Sequence, residues 1–347
     1  MNIKIGSRIV GDDCPVFIIA EAGSNHDGKL EQAYKLIDIA ALAGVDAIKF
    51  QVFTADKIYP RIETRVEYLK KLGVDKPIYQ IIKESEMPLH WLPLLSLYCK
   101  KKGIIFLATP FDEDSADALN PHINAYKIAS YEITHIPLLR HIAKKGKPVI
   151  LSTGASSLAE VAKAVSVIKS EGNKQIVVLQ CTAKYPAVEM NLRTIKTMRE
   201  ELGVLTGLSD HSRSPIISPI IATALGAVVI EKHFTISNKL EGADHKFALE
   251  PLELKLMTQV IRDTTKMMGS GTKSVLAEEQ ELAGYRRTIF TIKDVKVGEE
   301  FSKENICVLR KPGMIKEGLA PEMLNVLLGK KATKNLCANI IVQKGDF

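Results

Sequence analysis

Eight short, nearly unbroken runs of apolar and β-branched residues mark the first two-thirds of the chain, at 16–20, 47–51, 104–108, 125–128, 148–152, 176–180, 205–208 and 228–232. Runs without polar alternation predict strands buried on both faces, as in a parallel sheet covered by helices. Between them, stretches such as 30–43, 158–170 and 192–201 repeat apolar residues at helical spacing. Gly44, Gly103, Gly146 and Gly203 fall where a left-handed helix C-cap favours glycine. Eight strand–helix units predict a (β/α)8 (TIM) barrel, with a doubly wound open sheet as the alternative.

The pattern stops near residue 270. A Gly/Ser-rich turn and a charged stretch follow, and from Arg286 short strands and turns are expected at 287–292, 296–298, 330–335 and 340–344, punctuated by Pro312, Gly313, Pro321 and Gly345. The expected organisation is a barrel domain over 1–270, a linker over 271–285 and a small β-rich module over 286–347. The module is below the size at which a core stands comfortably alone, so it is expected to dock on something. The 46% apolar and 25% charged content is globular usage. Five scattered cysteines without a Cys-x-x-Cys pair point to a reducing compartment, away from a disulfide framework or a cysteine zinc site. No export signal is visible at the N-terminus. The longest apolar run, 216–230, is broken by Ser218, Pro219, Thr223 and Gly226 and falls short of the ~20 residues of a membrane span. A cytoplasmic protein without a membrane partner is expected. The net charge of +7 suits an anionic substrate. Its basic residues are dispersed and form no aromatic-laced stripe, so no nucleic-acid partner is expected.

Groups able to do chemistry stand at the C-terminal end of every predicted strand: Glu21, Lys49 with Gln51, Thr109, Lys127 with Ser130, Ser152, Thr182, Ser209 with Asp210 and His211, and Glu231 with His233. Strand ends turn polar simply by reaching solvent, but eight together, with lysines and glutamates at buried-type positions, predict a site on that face. Lys49 and Lys127 with the hydroxyls of Thr109, Ser130, Ser152 and Ser209 suit a small phosphorylated carboxylate. Lys127 is equally able to form an imine with a carbonyl substrate. His211 and His233, on adjacent strand ends, can share a divalent metal of the Mn²⁺ type or serve as plain hydrogen-bonding residues. Glu21 can orient an acceptor hydroxyl, handle a proton or cap a turn. The loop 241–246 reads equally as a sugar-contacting or a plain surface loop, and the long connection 53–77 is of lid length.

On these residues the sequence resembles the sialic acid (N-acetylneuraminate) synthase family, which includes legionaminic and pseudaminic acid synthases. The matching pieces, in order, are FIIAEAGSNHDG, KFQ at 49–51, ATPFDEDS at 108–115, YKIAS at 126–130, ILSTGA at 150–155, CTAKYP at 181–186, GLSDHS at 207–212 and EKHFT at 231–235. The tail resembles that family's antifreeze-like (SAF) domain. The resemblance implies a phosphoenolpyruvate-dependent C–C bond-forming transferase. Phosphoenolpyruvate would bind at Lys49, Thr109, Lys127, Ser130, Ser152 and Ser209, and Mn²⁺ (or Mg²⁺ or Co²⁺) at His211 and His233. Glu21, Gln51, Tyr185, Glu231 and Asp244 would line the acceptor, N-acetylmannosamine or a related amino sugar. It also implies a domain-swapped homodimer whose tail places a cation over the partner's site. Two positions depart from the family. The tail reads Arg310-Lys311-Pro312-Gly313 where Arg-Pro-Gly is usual, so either Arg310 or Lys311 is the capping cation, and lysine lacks the planar fork. Ala183 stands where the family carries asparagine. Two other readings are a Schiff-base pyruvate aldolase acting through Lys127 and a carbohydrate- or ice-binding protein using the tail.

Overall fold

In the computed structural model, which describes residues 1–66, 75–242, 244–313 and 317–347, a hairpin of β1 (Asn2–Ile5) and β2 (Arg8–Gly11) precedes eight parallel strands. These are β3 (Phe17–Gly23), β4 (Ala47–Val52), β5 (Ile105–Pro110), β6 (Tyr126–Ile128), β7 (Val149–Ser152), β8 (Ile176–Cys181), β9 (Leu205–Asp210) and β10 (Val229–His233). Each pairs with its sequence neighbour, and β10 returns to pair with β3, which closes the barrel and excludes the open sheet.

Because side chains alternate across a strand, each run divides between two cores. Ile18, Ile48, Phe106, Tyr126, Val149, Val178, Leu208 and Ile230 face out and pack with the helices. Phe17, Ile19, Ala47, Leu107, Ile150, Val177, Leu179, Leu205 and Val229 fill the interior, joined by Ile3, Ile5 and Val10 of the hairpin. The hairpin, which the apolar-run pattern misses, thus plugs the N-terminal end and leaves the C-terminal end for polar groups. Gly44, Gly103 and Gly203 end their helices at φ 77°, 73° and 58°, a backbone region costly for other residues. A capping box between Ser157 and Glu160 starts the helix Leu158–Ser170.

The chain divides into two compact units, Met1–Gly269 and Ser270–Phe347. The second holds an antiparallel pair, β11 (Arg287–Thr291) and β12 (Ile306–Arg310), around its own core of Ile289, Val295, Phe301, Ile306, Leu327, Leu336 and Val342. Within the segments expected as short strands and turns near 330–335 and 340–344, isolated bridges pair Glu300 with Lys331 and Phe290 with Ile341. Of the expected lid, Ala55–Ile58 forms a short helix, and 67–74 lie outside the described residues. Among the described residues no helix is long and apolar enough to cross a membrane.

Candidate active site

The alternation that fills the lower barrel with aliphatic groups puts charged ones in its top layer. Glu21, Lys49, Thr109, Lys127, Ser152, Ser209 and Glu231 are all buried there. Strand pairing sets Glu21 beside Lys49, Gln51 beside Thr109, and Ser209 beside Glu231. Lys49 Nζ lies 2.6 Å from Glu21 Oε2 and donates to Thr109 Oγ1 at 3.0 Å. Lys127 Nζ donates to Ser152 Oγ at 2.6 Å and to the Ile128 carbonyl at 3.0 Å. Glu231 Oε1 stands between the two lysines, 3.8 Å from Lys49 and 3.7 Å from Lys127, and accepts from Ser209 Oγ at 3.3 Å. Gln51 Nε2 donates to Glu21 Oε1 at 2.9 Å, and Ser130 Oγ accepts from the Gly154 N–H at 2.9 Å.

Burying these charges is costly unless they are paired, and their pairing is uneven. Burial and the nearby Glu231 push the Glu21 carboxyl up, against the pull of Lys49. Burial pushes Glu231 up as well, but Lys127 and Lys49 outweigh it and hold that carboxyl low. Burial draws Lys127 below the ordinary lysine range. The rim therefore holds two lysines around Glu231, whose carboxyl they hold low, while the Glu21 carboxyl beside Lys49 is pushed the other way.

Beside it sits an aromatic cluster. Tyr185 stacks on His211 with centroids 4.0 Å apart, and His211 and His233 are 5.6 Å apart. Phe247 packs on Tyr185 at 4.4 Å and His233 at 5.4 Å. Burial holds His211 down at about 4, and burial with the neighbouring His211 holds His233 well below its ordinary value. Both rings are neutral, the form that binds metals. His211 Nδ1 donates to the Thr182 carbonyl at 2.8 Å, so its lone pair is on Nε2, where the Tyr185 hydroxyl donates at 3.0 Å. The buried Nδ1 of His233 has no partner among the described residues. Two neutral imidazoles with an orphaned nitrogen fit an ion that keeps positions open for substrate or water. A closed structural site does not fit: no group of three or more His, Cys, Asp or Glu able to hold a metal occurs among the described residues.

Asp210 does not join the rim. Period-two alternation turns it outward, where it pairs with Lys232 at 2.8 Å, both fully buried, and accepts from Ser218 Oγ at 2.6 Å. Thr182 contributes its carbonyl, while its hydroxyl bonds the Glu189 carbonyl. Asp244 comes to the rim from the loop after β10. A Cβ on Gly23 would come within 2.8 Å of its Oδ2 and 3.6 and 3.7 Å of Glu21 Oε1 and Gln51 Nε2, so the three converge over Gly23, and burial pushes the Asp244 carboxyl up. Arg310 ends β12, exposed, and the Lys311 N–H bonds the Arg286 carbonyl at 3.3 Å; both belong to the second unit. Three further residues at the rim are missed by the sequence reading. They are Cys181, with Sγ 3.6 Å from His211 Nε2, Phe247, and Glu132 in the turn Ser130–Thr134. Glu132 Oε2 is buried without a partner among the described residues, and burial pushes its carboxyl up to about 7. For Cys181 the signal was available, since it is the next inward position after Val177 and Leu179.

A closed (β/α)8 barrel with buried lysines, carboxylates and imidazoles on its C-terminal rim has the form of a barrel enzyme. The chain belongs to the NeuB family, whose profile matches residues 36–273. It is 45% identical to the spore coat polysaccharide biosynthesis protein SpsE of Bacillus subtilis, over 97% of this chain and 94% of that one. It is 42% identical to the N,N'-diacetyllegionaminic acid synthase of Campylobacter jejuni, over 92% and 96%. Among solved structures, the N-acetylneuraminic acid (sialic acid) synthetase of Leptospira borgpetersenii matches with a TM-score of 0.72 and 36% identity, over 81% of this chain and 94% of that one.

Proposed function

We propose that the chain is a nonulosonate synthase, a transferase that joins C3 of phosphoenolpyruvate to the aldehyde carbon of N-acetylmannosamine or a related acetamido sugar. The observation that carries this is the top layer of the barrel, where Lys49 and Lys127 meet Thr109, Ser152 and Ser209 around Glu231. Lys49 and Lys127 hold the phosphate and carboxylate, and the hydroxyls with Ser130 fix their orientation. The enol π electrons form the new C–C bond, and the aldehyde oxygen takes up a proton. Water then adds to C2, and phosphate leaves by cleavage of the C2–O bond. Glu132, pushed up to about 7 by burial, is suited to exchange these protons near neutral pH, and Glu21, whose carboxyl burial also raises, stands beside Lys49 as a second proton-carrying group. Gln51, Tyr185, Glu231 and Asp244 line the acceptor side. A Mn²⁺ ion, or Mg²⁺ or Co²⁺, held by His211 and His233 would supply Lewis-acid polarisation of the aldehyde oxygen.

The protein is further proposed to act as a domain-swapped homodimer, with an antifreeze-like second unit and Arg310 or Lys311 as the cation over the partner's rim. An exposed apolar face supports self-association: Ile217 and Leu252 are 65% and 82% exposed, on two helices that pack together. Five free cysteines support a reducing, cytoplasmic setting.

Phosphate release measured with phosphoenolpyruvate, a divalent metal and a panel of acceptors tests the reaction. The panel holds N-acetylmannosamine, its 6-phosphate and diacetamido-trideoxy-hexoses. Release that depends on an acceptor supports it, and no turnover with any aldehyde contradicts it. The lowered Lys127 amine also favours imine chemistry with free pyruvate. Borohydride trapping of a pyruvate adduct, insensitive to chelator, would establish that reading instead.

A further inference from the structure

The loop that brings Asp244 to the rim is tied down by a buried histidine next to it. His245 is 1% exposed, with Nε2 2.9 Å from Asp27 Oδ1 and Nδ1 2.6 Å from Thr235 Oγ1. A carboxylate only accepts, so Nε2 carries the proton. Asp27 belongs to the loop after β3, and Thr235 follows the end of β10; the ring therefore links the roots of two loops that flank the acceptor side. Asp27 takes a left-handed backbone, φ 50°, to present its carboxylate, and its other oxygen accepts from Gln32. Asn25 Nδ2 donates across the same gap to the Phe234 carbonyl at 2.8 Å. On the far side, Asn238 Nδ2 donates to the carbonyls of His245 and Ala248, the latter at 2.9 Å. The loop thus buries His245 in its wall while its neighbours face the site. Asp244 accepts from the Ser24 N–H and lies over Gly23 beside Glu21 and Gln51, and Phe247 packs on Tyr185 and His233.

We infer that His245, held between Asp27 and Thr235, is a positioning residue that sets Asp244 and Phe247 for the acceptor sugar and leaves the phosphoenolpyruvate half of the site untouched. This rests on the reading above that Asp244 faces the acceptor. A ring with nitrogens on opposite edges spans the two loops in a way that neither a single hydroxyl nor an aliphatic side chain reproduces. The phosphate side, by contrast, is held by strand residues, with Lys49 bonded to Thr109 and Lys127 to Ser152.

Steady-state kinetics of the full-length, metal-loaded protein test this, with each substrate varied in turn for wild type, His245→Leu, Asp27→Ala and Asp27→Asn. Asp27→Ala cuts the strap at its partly exposed end, so it reports even where His245→Leu fails to fold. The inference predicts an acceptor KM raised at least ~10-fold in Asp27→Ala and in folded His245→Leu, with the phosphoenolpyruvate KM within ~2-fold of wild type. Asp27→Asn keeps an acceptor for Nε2–H and should restore the acceptor KM. An unchanged acceptor KM, an equal rise in both KM values, or an Asp27→Asn as impaired as Asp27→Ala would overturn it. Wild type inert toward every acceptor would instead remove the reaction on which the inference rests.

Discussion

Lys127 is the residue whose loss separates an anion site from a merely structural buried charge. With Lys127→Met, the stem remains but the ammonium facing Ser152 and Glu231 is gone. Phosphoenolpyruvate binding, followed by calorimetry, should weaken by about 2–5 kcal/mol, typical of truncating one partner of a buried charge contact. Unchanged affinity would place the phosphate elsewhere. The imidazoles make a second prediction. His211 is held at about 4 against an ordinary 6.5, with His233 also held low, both by burial. Between pH 6.5 and 4 the unfolded chain binds protons that the folded chain refuses, so stability falls as pH falls through that window. Each such histidine contributes a slope of at most about 1.4 kcal/mol per pH unit. In chelator-treated protein, His211→Gln should flatten the pH dependence of the denaturation midpoint, and an identical slope would contradict the assignment. At this scale the site was largely legible, because lysines and glutamates in apolar runs stand out. Asp210 was misplaced because a strand-end list ignores parity: Ser209 faces in, so Asp210 faces out. Glu132 was invisible because its burial comes from a turn with no periodicity of its own.

Elements explain why the rim holds its shape. β9 carries Ser209 and leads directly into His211, β10 carries Glu231 and His233, and the buried Asp210–Lys232 pair crosslinks the two strands on their outer face. Lys232 also donates to Ser212 Oγ and to the Ser214 carbonyl, each at 3.1 Å, which fixes the turn after His211. Lys232→Met should cost about 3–5 kcal/mol in denaturant unfolding, because Asp210 is left buried and unpaired. The double replacement Lys232→Met with Asp210→Leu should recover much of that loss, and a single variant as stable as wild type would show that the pair braces nothing. The eight barrel strands were legible because burial on both faces leaves an unbroken apolar run. The β1–β2 hairpin was not, since four-residue alternating strands at a terminus carry too little pattern. β12 was missed although Ile306–Leu309 is apolar throughout, because a single four-residue run among turns and charged residues does not stand out; two of its five residues are exposed.

For the whole molecule, the barrel separates two tasks along its axis. Aliphatic layers and the hairpin close one end, and charged groups occupy the other. The exposed isoleucines of the helix Ile217–Ala224 predict self-association, so Ile217→Asp should shift sedimentation from dimer toward monomer. A wild type that sediments as a monomer would contradict this. The chemistry itself is tested most directly by following the label from [3-¹³C]phosphoenolpyruvate with NMR in the presence of acceptor and Mn²⁺. The account predicts that the label appears as a methylene bonded to the former aldehyde carbon, in step with phosphate release. A label that ends only in the methyl group of pyruvate would contradict it.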